Sequence, residues 1–182
     1  MTISPDEANA TLADIDDVVA RVKQSRIYQT TSVMLFLWGG TIVVGNLVSI
    51  IARHWSGWTW FAINLCGAIA TLVLLRRNTG PGAQLPLRFL GGFVLFFVFG
   101  WIWSEEIGTF GPRELNVFWP TLFLFGYTLA GLWFGLAFSA LGLGLTALIL
   151  VGYFWSGEWF TLWLAFFNGG GLILCGALMR RA

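Results

Sequence analysis

The side chains best suited to acid–base chemistry lie between the long apolar stretches of this sequence of 182 residues. His54 is its one histidine, and four glutamates follow in later loops: Glu105, Glu106, Glu114 and Glu158. Histidine is the side chain that most readily changes its charge near neutral pH. A protonated His54 paired with one of these glutamates would therefore sense acidity. The other interpretation is an interfacial histidine without such a role.

Asn46, Asn64 and Asn168 place neutral amide groups inside the apolar stretches. An amide offers donors and acceptors without charge, which suits water or a small uncharged solute better than an ion. If the segments that carry them surround a common axis, the three amides would line one path. The alternative is hydrogen bonding between helices, worth about 0.6 kcal/mol per contact in membrane proteins.

The sequence lacks the residue sets on which most enzyme sites depend. One histidine cannot form a zinc triad or a paired haem ligand set, and no Ser-His-Asp arrangement is apparent. Cys66 and Cys175 lie in apolar runs and indicate neither a disulfide framework nor a metal site. The net charge of +1 gives no sign of a nucleic-acid partner. We expect a non-enzymatic protein without cofactor, metal or nucleic acid.

Composition indicates that the elements carrying these residues cross a membrane. Hydrophobic residues make up 57% of the chain and charged residues 10%, whereas soluble domains carry about 25% charged residues. A helix needs about 20 apolar residues to cross the hydrocarbon core. The intervals between charges predict six such helices, with the long uncharged interval after Glu114 divided near Gly135. These segments are roughly 31–52, 58–75, 87–103, 116–134, 137–155 and 159–179.

The basic residues are distributed unevenly between the two sets of loops. One set, which includes both termini, contains Arg21, Lys23, Arg26, Arg76, Arg77, Arg88, Arg180 and Arg181. The other set contains only Arg53 and Arg113. Because basic loops stay in the cytoplasm, this distribution predicts a multi-pass inner-membrane protein with both termini cytoplasmic. The lipid bilayer is therefore a predicted partner of the protein.

The pattern of residues 1–27 predicts a cytoplasmic amphipathic helix. Five apolar residues recur at spacings of four and three, and therefore form one stripe on a helix: Ala8, Leu12, Ile15, Val19 and Val22. Acidic residues come early and basic residues late, which suits the helix dipole. Two interpretations are open. The helix lies on the membrane or under the bundle, or it docks against a cytoplasmic partner or a second copy of the chain.

Two short patterns indicate an internal repeat. Trp-Ser occurs at Trp55-Ser56, Trp103-Ser104 and Trp155-Ser156. Asn64 and Asn168 each precede a glycine by three residues and an arginine pair by twelve. We therefore predict three parallel helical hairpins, at roughly 29–77, 87–135 and 137–181.

A family resemblance rests on the last helix and on the hairpins. The run from Gly169 to Arg180 is glycine-spaced and closes on arginine, and with three hairpins it resembles the HdeD-like family of small inner-membrane proteins. The resemblance implies a six-helix fold and an envelope or acid-stress role, and it implies no site residues. The absence of proline at the hairpin tips and the added N-terminal helix depart from that pattern. Amidase-linked urea channels also contain three hairpins, but their termini face the opposite side.

Together these patterns predict an all-α integral membrane bundle of six transmembrane helices in three parallel-repeat hairpins, spanning residues 28–182 after the amphipathic helix 1–27. Three functional hypotheses follow. The first is a non-enzymatic inner-membrane protein with an envelope or acid-stress role. The second is a channel or facilitator for a small neutral solute. The third is a membrane anchor that recruits a partner, or forms a homo-oligomer, through its N-terminal helix.

Overall fold

A computed structural model describes residues 5–52, 54, 56–78 and 87–181 of the chain, and the regular structure in these ranges is helical throughout. Arg53 and Trp55, which contribute to the orientation and repeat predictions, lie outside the described residues. So do residues 1–4 of the predicted N-terminal helix.

Six helices follow one another along the described ranges: α1 (Pro5–Ile51), α2 (Ser56–Asn78), α3 (Leu87–Trp101), α4 (Pro112–Phe134), α5 (Leu136–Trp155) and α6 (Gly157–Met179). A π-helical turn, Ile102–Ile107, prolongs α3, and a second one, Leu164–Gly169, interrupts α6. All but α3 are long and apolar enough to cross a membrane. The predicted all-α fold is confirmed, and five of the six predicted membrane-crossing segments, all but the third, are long and apolar enough to cross a membrane in the described ranges.

The first helix is longer than the segment predicted to cross the membrane. It runs unbroken for 47 residues, and the predicted boundary between residues 27 and 28 falls inside it. The sequence contains neither glycine nor proline between Pro5 and Gly39, so no residue in this stretch favours ending the helix. The charged residues Arg21 and Arg26 mark where the apolar part of α1 begins, but the helix itself continues through them.

The six helices pack in the spatial order α2, α1, α6, α5, α4, α3. Contacts between α1 and α6 and between α4 and α5 are the most extensive. The core lies among α1, α5 and α6, where Leu35 and Ile149 are fully buried and Leu164 nearly so. At one end of the row, α3 reaches α4 through stacked rings, with the centroids of Phe97 and Trp119 5.0 Å apart. The outer faces of α2 and α3 are exposed, as expected for surfaces covered by lipid.

Gly135 makes the tight turn between α4 and α5. Its φ of 117° lies in a region that glycine adopts readily and other residues do not. Across the turn, the Ser139 hydroxyl donates to the Thr128 carbonyl at 2.9 Å. The predicted division of the long uncharged interval at Gly135 is confirmed.

The Trp-Ser pairs, on which the repeat prediction depends, differ in their surroundings. Ser104 is fully buried in the π-helical turn after α3, where its hydroxyl finds no hydrogen-bond partner among the described residues. The Ser156 hydroxyl instead donates to the Gly152 carbonyl at 2.5 Å. The three-hairpin repeat stays a prediction.

Candidate functional site

An exposed apolar feature outside the segments able to cross a membrane lies on α1. The segment able to cross a membrane begins at Gln24, and we call residues 5–23 of the same helix the α1 extension. At 1.5 Å per residue, the extension is about 28 Å long. Because it continues the spanning helix without a break, its direction is set by the way α1 packs in the bundle.

Four residues of the predicted stripe are exposed on the α1 extension. Leu12 is 60% exposed, Ile15 52%, Val19 58% and Val22 54%. Their spacings of three, four and three place them along one side of the helix, and Val18 beside them is 58% exposed. We call Leu12, Ile15, Val19 and Val22 the α1 stripe. The side chain of the fifth predicted member, Ala8, lies outside the described part of the structure.

A cluster of contacts holds the base of the extension against the turn between α4 and α5. Gln24 donates from its side-chain amide to the Tyr28 hydroxyl at 3.1 Å. The Tyr28 ring lies 5.9 Å from that of Phe138, centroid to centroid, and its hydroxyl lies over Gly135. These contacts fix the position at which α1 leaves the bundle.

Next to this cluster along α1, the backbones of α1 and α6 lie in close contact. The Ser32 hydroxyl donates to the Gly176 carbonyl at 2.7 Å, in a buried position. A Cβ placed on Gly39 would lie 2.8 Å from the Gly169 carbonyl oxygen, and a Cβ on Gly169 would lie 3.0 Å from the Gly39 oxygen. Small residues at the contact let transmembrane helices pack in this way. The α1 extension therefore continues from a closely packed helix pair.

The three asparagines predicted to line one path do not share one environment. Asn46 and Asn168 are 3% and 2% exposed, and α1 packs against the π-helical turn of α6 that contains Asn168. The Asn46 amide donates to Ile42 of its own helix at 2.9 Å. Asn64 is exposed on α2 and donates to the Trp60 carbonyl at 2.8 Å. Two of the three amides are thus buried within the bundle, and the third is exposed on α2.

The residues predicted to sense acidity all lie at one end of the bundle, which we call the acidic end. His54 is exposed between α1 and α2. Glu105 and Glu106 are exposed in the π-helical turn after α3, and Glu158 at the start of α6. Pairing of His54 with a particular glutamate stays a prediction.

Arg113, at the acidic end, joins three helices. From the first turn of α4, its guanidinium donates to the Tyr153 carbonyl in the last turn of α5 at 2.8 Å. The guanidinium carbon also lies 5.3 Å from the centre of the Tyr153 ring and 5.6 Å from that of Phe160 in α6. A cation at a helix C-terminus is favourable. The sequence marked Arg113 only as an exception to the distribution of basic residues.

Replacing Arg113 with alanine is expected to lower the free energy of unfolding by about 1 kcal/mol, from the lost cation–π contacts and the lost charge at the end of α5. Arg113→Lys should retain the charge but lose the planar contact with both rings, and should give an intermediate value. Thermal unfolding in detergent micelles, followed by circular dichroism, ranks the stability of the wild type, Arg113→Lys and Arg113→Ala. Equal stability of all three would contradict a structural role for this contact.

No group of three or more histidine, cysteine or acidic side chains able to hold a metal ion occurs in the described ranges. Compared with protein-family models, with curated proteins and with solved structures, the chain matches none of them. No residue role is therefore transferred from a relative, and the candidate site rests on the geometry of α1.

Proposed function

We propose that the protein is a non-enzymatic, multi-pass anchor in the inner membrane whose copies associate in the cytoplasm through their α1 extensions. The single observation that carries this proposal is the exposed α1 stripe on a helix continuous with a membrane-crossing segment. The eight-to-two distribution of basic residues supports a cytoplasmic position for the extension. Arg21 and Arg26 are exposed where α1 leaves its spanning segment, a position that suits the anionic inner leaflet.

The spacing of the stripe favours another helix as its partner. Apolar residues that alternate at spacings of three and four occupy the a and d positions of a heptad, the pattern of a coiled coil. Leu12 and Val19 occupy a positions, and Ile15 and Val22 occupy d positions. Val18, at a g position, borders this seam and widens its apolar surface.

Insertion in a common membrane favours the α1 extension of a second copy as the partner helix. Copies inserted in the same membrane have the same orientation, so their α1 extensions run parallel. Because α1 is unbroken, each copy also carries its stripe at the same height above the bilayer, which aligns the two registers. A coil of two heptads is marginal on its own, but confinement in the membrane raises the effective concentration of its partner.

The structure gives a solute path less support. Asn64 is exposed on α2, away from the interface that contains Asn46 and Asn168. A cavity between α1, α5 and α6 is lined almost entirely by apolar side chains. The Asn46 and Asn64 amides donate to carbonyls of their own helices, and hydrogen bonding between helices, the alternative interpretation, stays a prediction.

Energy transfer between donor-labelled and acceptor-labelled full chains in liposomes tests the proposal. Association should be present in the wild type and should weaken at least tenfold in Leu12→Asn/Val19→Asn, which places amides in the apolar seam. The matched control is Asp14→Asn/Ser25→Asn, which introduces the same side chain at exposed positions outside the stripe. The control should associate like the wild type.

Two results would contradict the proposal. One is a wild type that stays monomeric as the protein-to-lipid ratio rises. The other is equal association of the stripe variant and its control. Circular dichroism verifies that both variants keep the helix content of the wild type, so that loss of association reports on the seam and not on unfolding of the extension.

A further inference from the structure

A groove on the side of the bundle is independent of the α1 extension. It lies between α5 and α6, with α1 at its base, and its volume is about 800 Å³. Leu47 of α1, Leu148 of α5 and Phe166 of α6 are among the residues that line it. The groove opens sideways, within the segments that are long and apolar enough to cross a membrane.

Two glycines leave this groove open. A Cβ added to Gly144 on α5 or to Gly170 on α6 would meet no atom within 4 Å. In contrast, a Cβ on the neighbouring Gly171 would contact the Leu145 side chain. A side chain at either position would therefore extend into the groove without meeting a neighbouring described residue at its Cβ. An apolar space without polar partners does not hold water, so hydrocarbon is the occupant that it suits.

An arginine pair lies beyond one end of the groove. Leu174 lines the groove, the helix ends five residues later at Met179, and Arg180 and Arg181 follow in the turn beyond it. From Leu174 to the end of the helix is about 8 Å along its axis. Arg180 and Arg181 are both exposed, and the turn between α4 and α5 at this end of the bundle contains no acidic residue. An apolar groove that leads to two arginines is complementary to an acyl chain that ends in a phosphate.

We propose that this groove binds one acyl chain of an anionic phospholipid, with the lipid phosphate at Arg180 and Arg181. The charge pair favours this occupant over a helix of a second copy, which would have to supply an anionic group at the same level. Lipid bound here fills the open side of the contact between α5 and α6.

Native mass spectrometry of the full chain, released from micelles that contain equal amounts of phosphatidylglycerol and phosphatidylcholine, tests the acyl-chain part. The wild type should retain one phosphatidylglycerol. Gly144→Leu/Gly170→Leu fills the groove and should reduce that retention at least tenfold. Gly40→Leu is the matched control, because Gly40 is equally open and does not line the groove.

The headgroup part is tested with two arginine pairs. Arg180→Gln/Arg181→Gln should reduce the preference for phosphatidylglycerol over phosphatidylcholine by about fivefold for each arginine. Arg76→Gln/Arg77→Gln removes the equivalent pair at the end of α2 and should leave the preference unchanged.

Either of two outcomes would overturn the inference. One is equal lipid retention by the groove-filling variant and the wild type. The other is a groove-filling variant that converts dimers to monomers while its lipid retention is unchanged, which would assign the groove to a second copy. Both outcomes are separate from the α1 stripe, because the energy-transfer experiment on Leu12→Asn/Val19→Asn leaves the groove intact.

Discussion

Gly142→Ala is expected to lower the free energy of unfolding by about 1–2 kcal/mol, because overpacking costs about 2–3 kcal/mol at such a site and the gain in helix propensity offsets about 1 kcal/mol of it. A Cβ on Gly142 would lie 2.5 Å from the Leu124 carbonyl oxygen and 2.8 Å from the Thr128 amide nitrogen, and it would also meet the Thr128 hydroxyl. Because two of these atoms belong to the backbone of α4, no side-chain rotation can relieve the contact. The two helices would have to separate along their extensive interface.

The chain supplies a matched control two residues away. Gly144 lies on the same helix, and an added Cβ there meets nothing within 4 Å. Alanine is favoured over glycine in a helix by about 1 kcal/mol, so Gly144→Ala should keep or raise stability. Unfolding in mixed detergent micelles with increasing dodecyl sulfate, followed by circular dichroism, compares the two variants. If Gly142→Ala were as stable as Gly144→Ala, α4 and α5 would not approach as the structure describes.

Alanine at the adjacent glycines of α1, Gly39 and Gly40, is expected to change the free energy of unfolding in opposite directions. A Cβ on Gly39 would lie 2.8 Å from the Gly169 carbonyl oxygen and 3.1 Å from the Ile173 amide nitrogen, whereas a Cβ on Gly40 would meet nothing within 4 Å. Overpacking costs about 1–3 kcal/mol, and the gain in helix propensity offsets about 1 kcal/mol of it. Gly39→Ala should therefore destabilise by up to about 2 kcal/mol, and Gly40→Ala should stabilise slightly.

The same unfolding measurement separates these neighbours, and cross-linking adds a readout of the α1–α6 contact itself. Cysteines introduced in place of Ser32 and Ala177, with Cys66 and Cys175 replaced by alanine, should form a disulfide efficiently when Gly40 is alanine and less efficiently when Gly39 is alanine. Indistinguishable stability and cross-linking of the two alanine variants would contradict the proposed closeness of the two backbones.

The positions of the helices could be predicted from the sequence because charges bracket the apolar runs. A charge in the bilayer is costly, so Arg26, Glu114 and Glu158 each lie within two residues of the start of a segment able to cross a membrane. The division at Gly135 followed from length alone, since the uncharged interval was too long for one helix. These predictions needed no knowledge of which helices touch.

The helix partners could not be predicted in the same way. Glycines at 39, 142 and 169 indicate close packing, but nothing in their spacing names the helix that each one meets. The π-helical turns of α3 and α6 could not be predicted either, because a shift in the backbone hydrogen-bond register does not change the apolar composition of a segment. The contact of Arg113 with Tyr153 requires the α4–α5 pairing and becomes visible only with it.

The continuity of α1 was missed for a different reason. The prediction took the change from polar to apolar composition near residue 27 as the end of one element, although composition decides where a helix lies and not where it stops. Glycine, proline and capping residues end helices, and the sequence from residue 6 to residue 38 contains no glycine or proline.

An unbroken α1 makes the extension a lever arm for the bundle. Because its base is fixed at Gln24 and Tyr28 against the α4–α5 turn, the extension cannot swivel freely about a hinge. A tilt of about 10° in the spanning segment would displace the far end of an arm about 28 Å long by about 5 Å. A change in bilayer thickness that tilted the spanning segment would by this geometry move the far end of the extension, at a distance from the lipid.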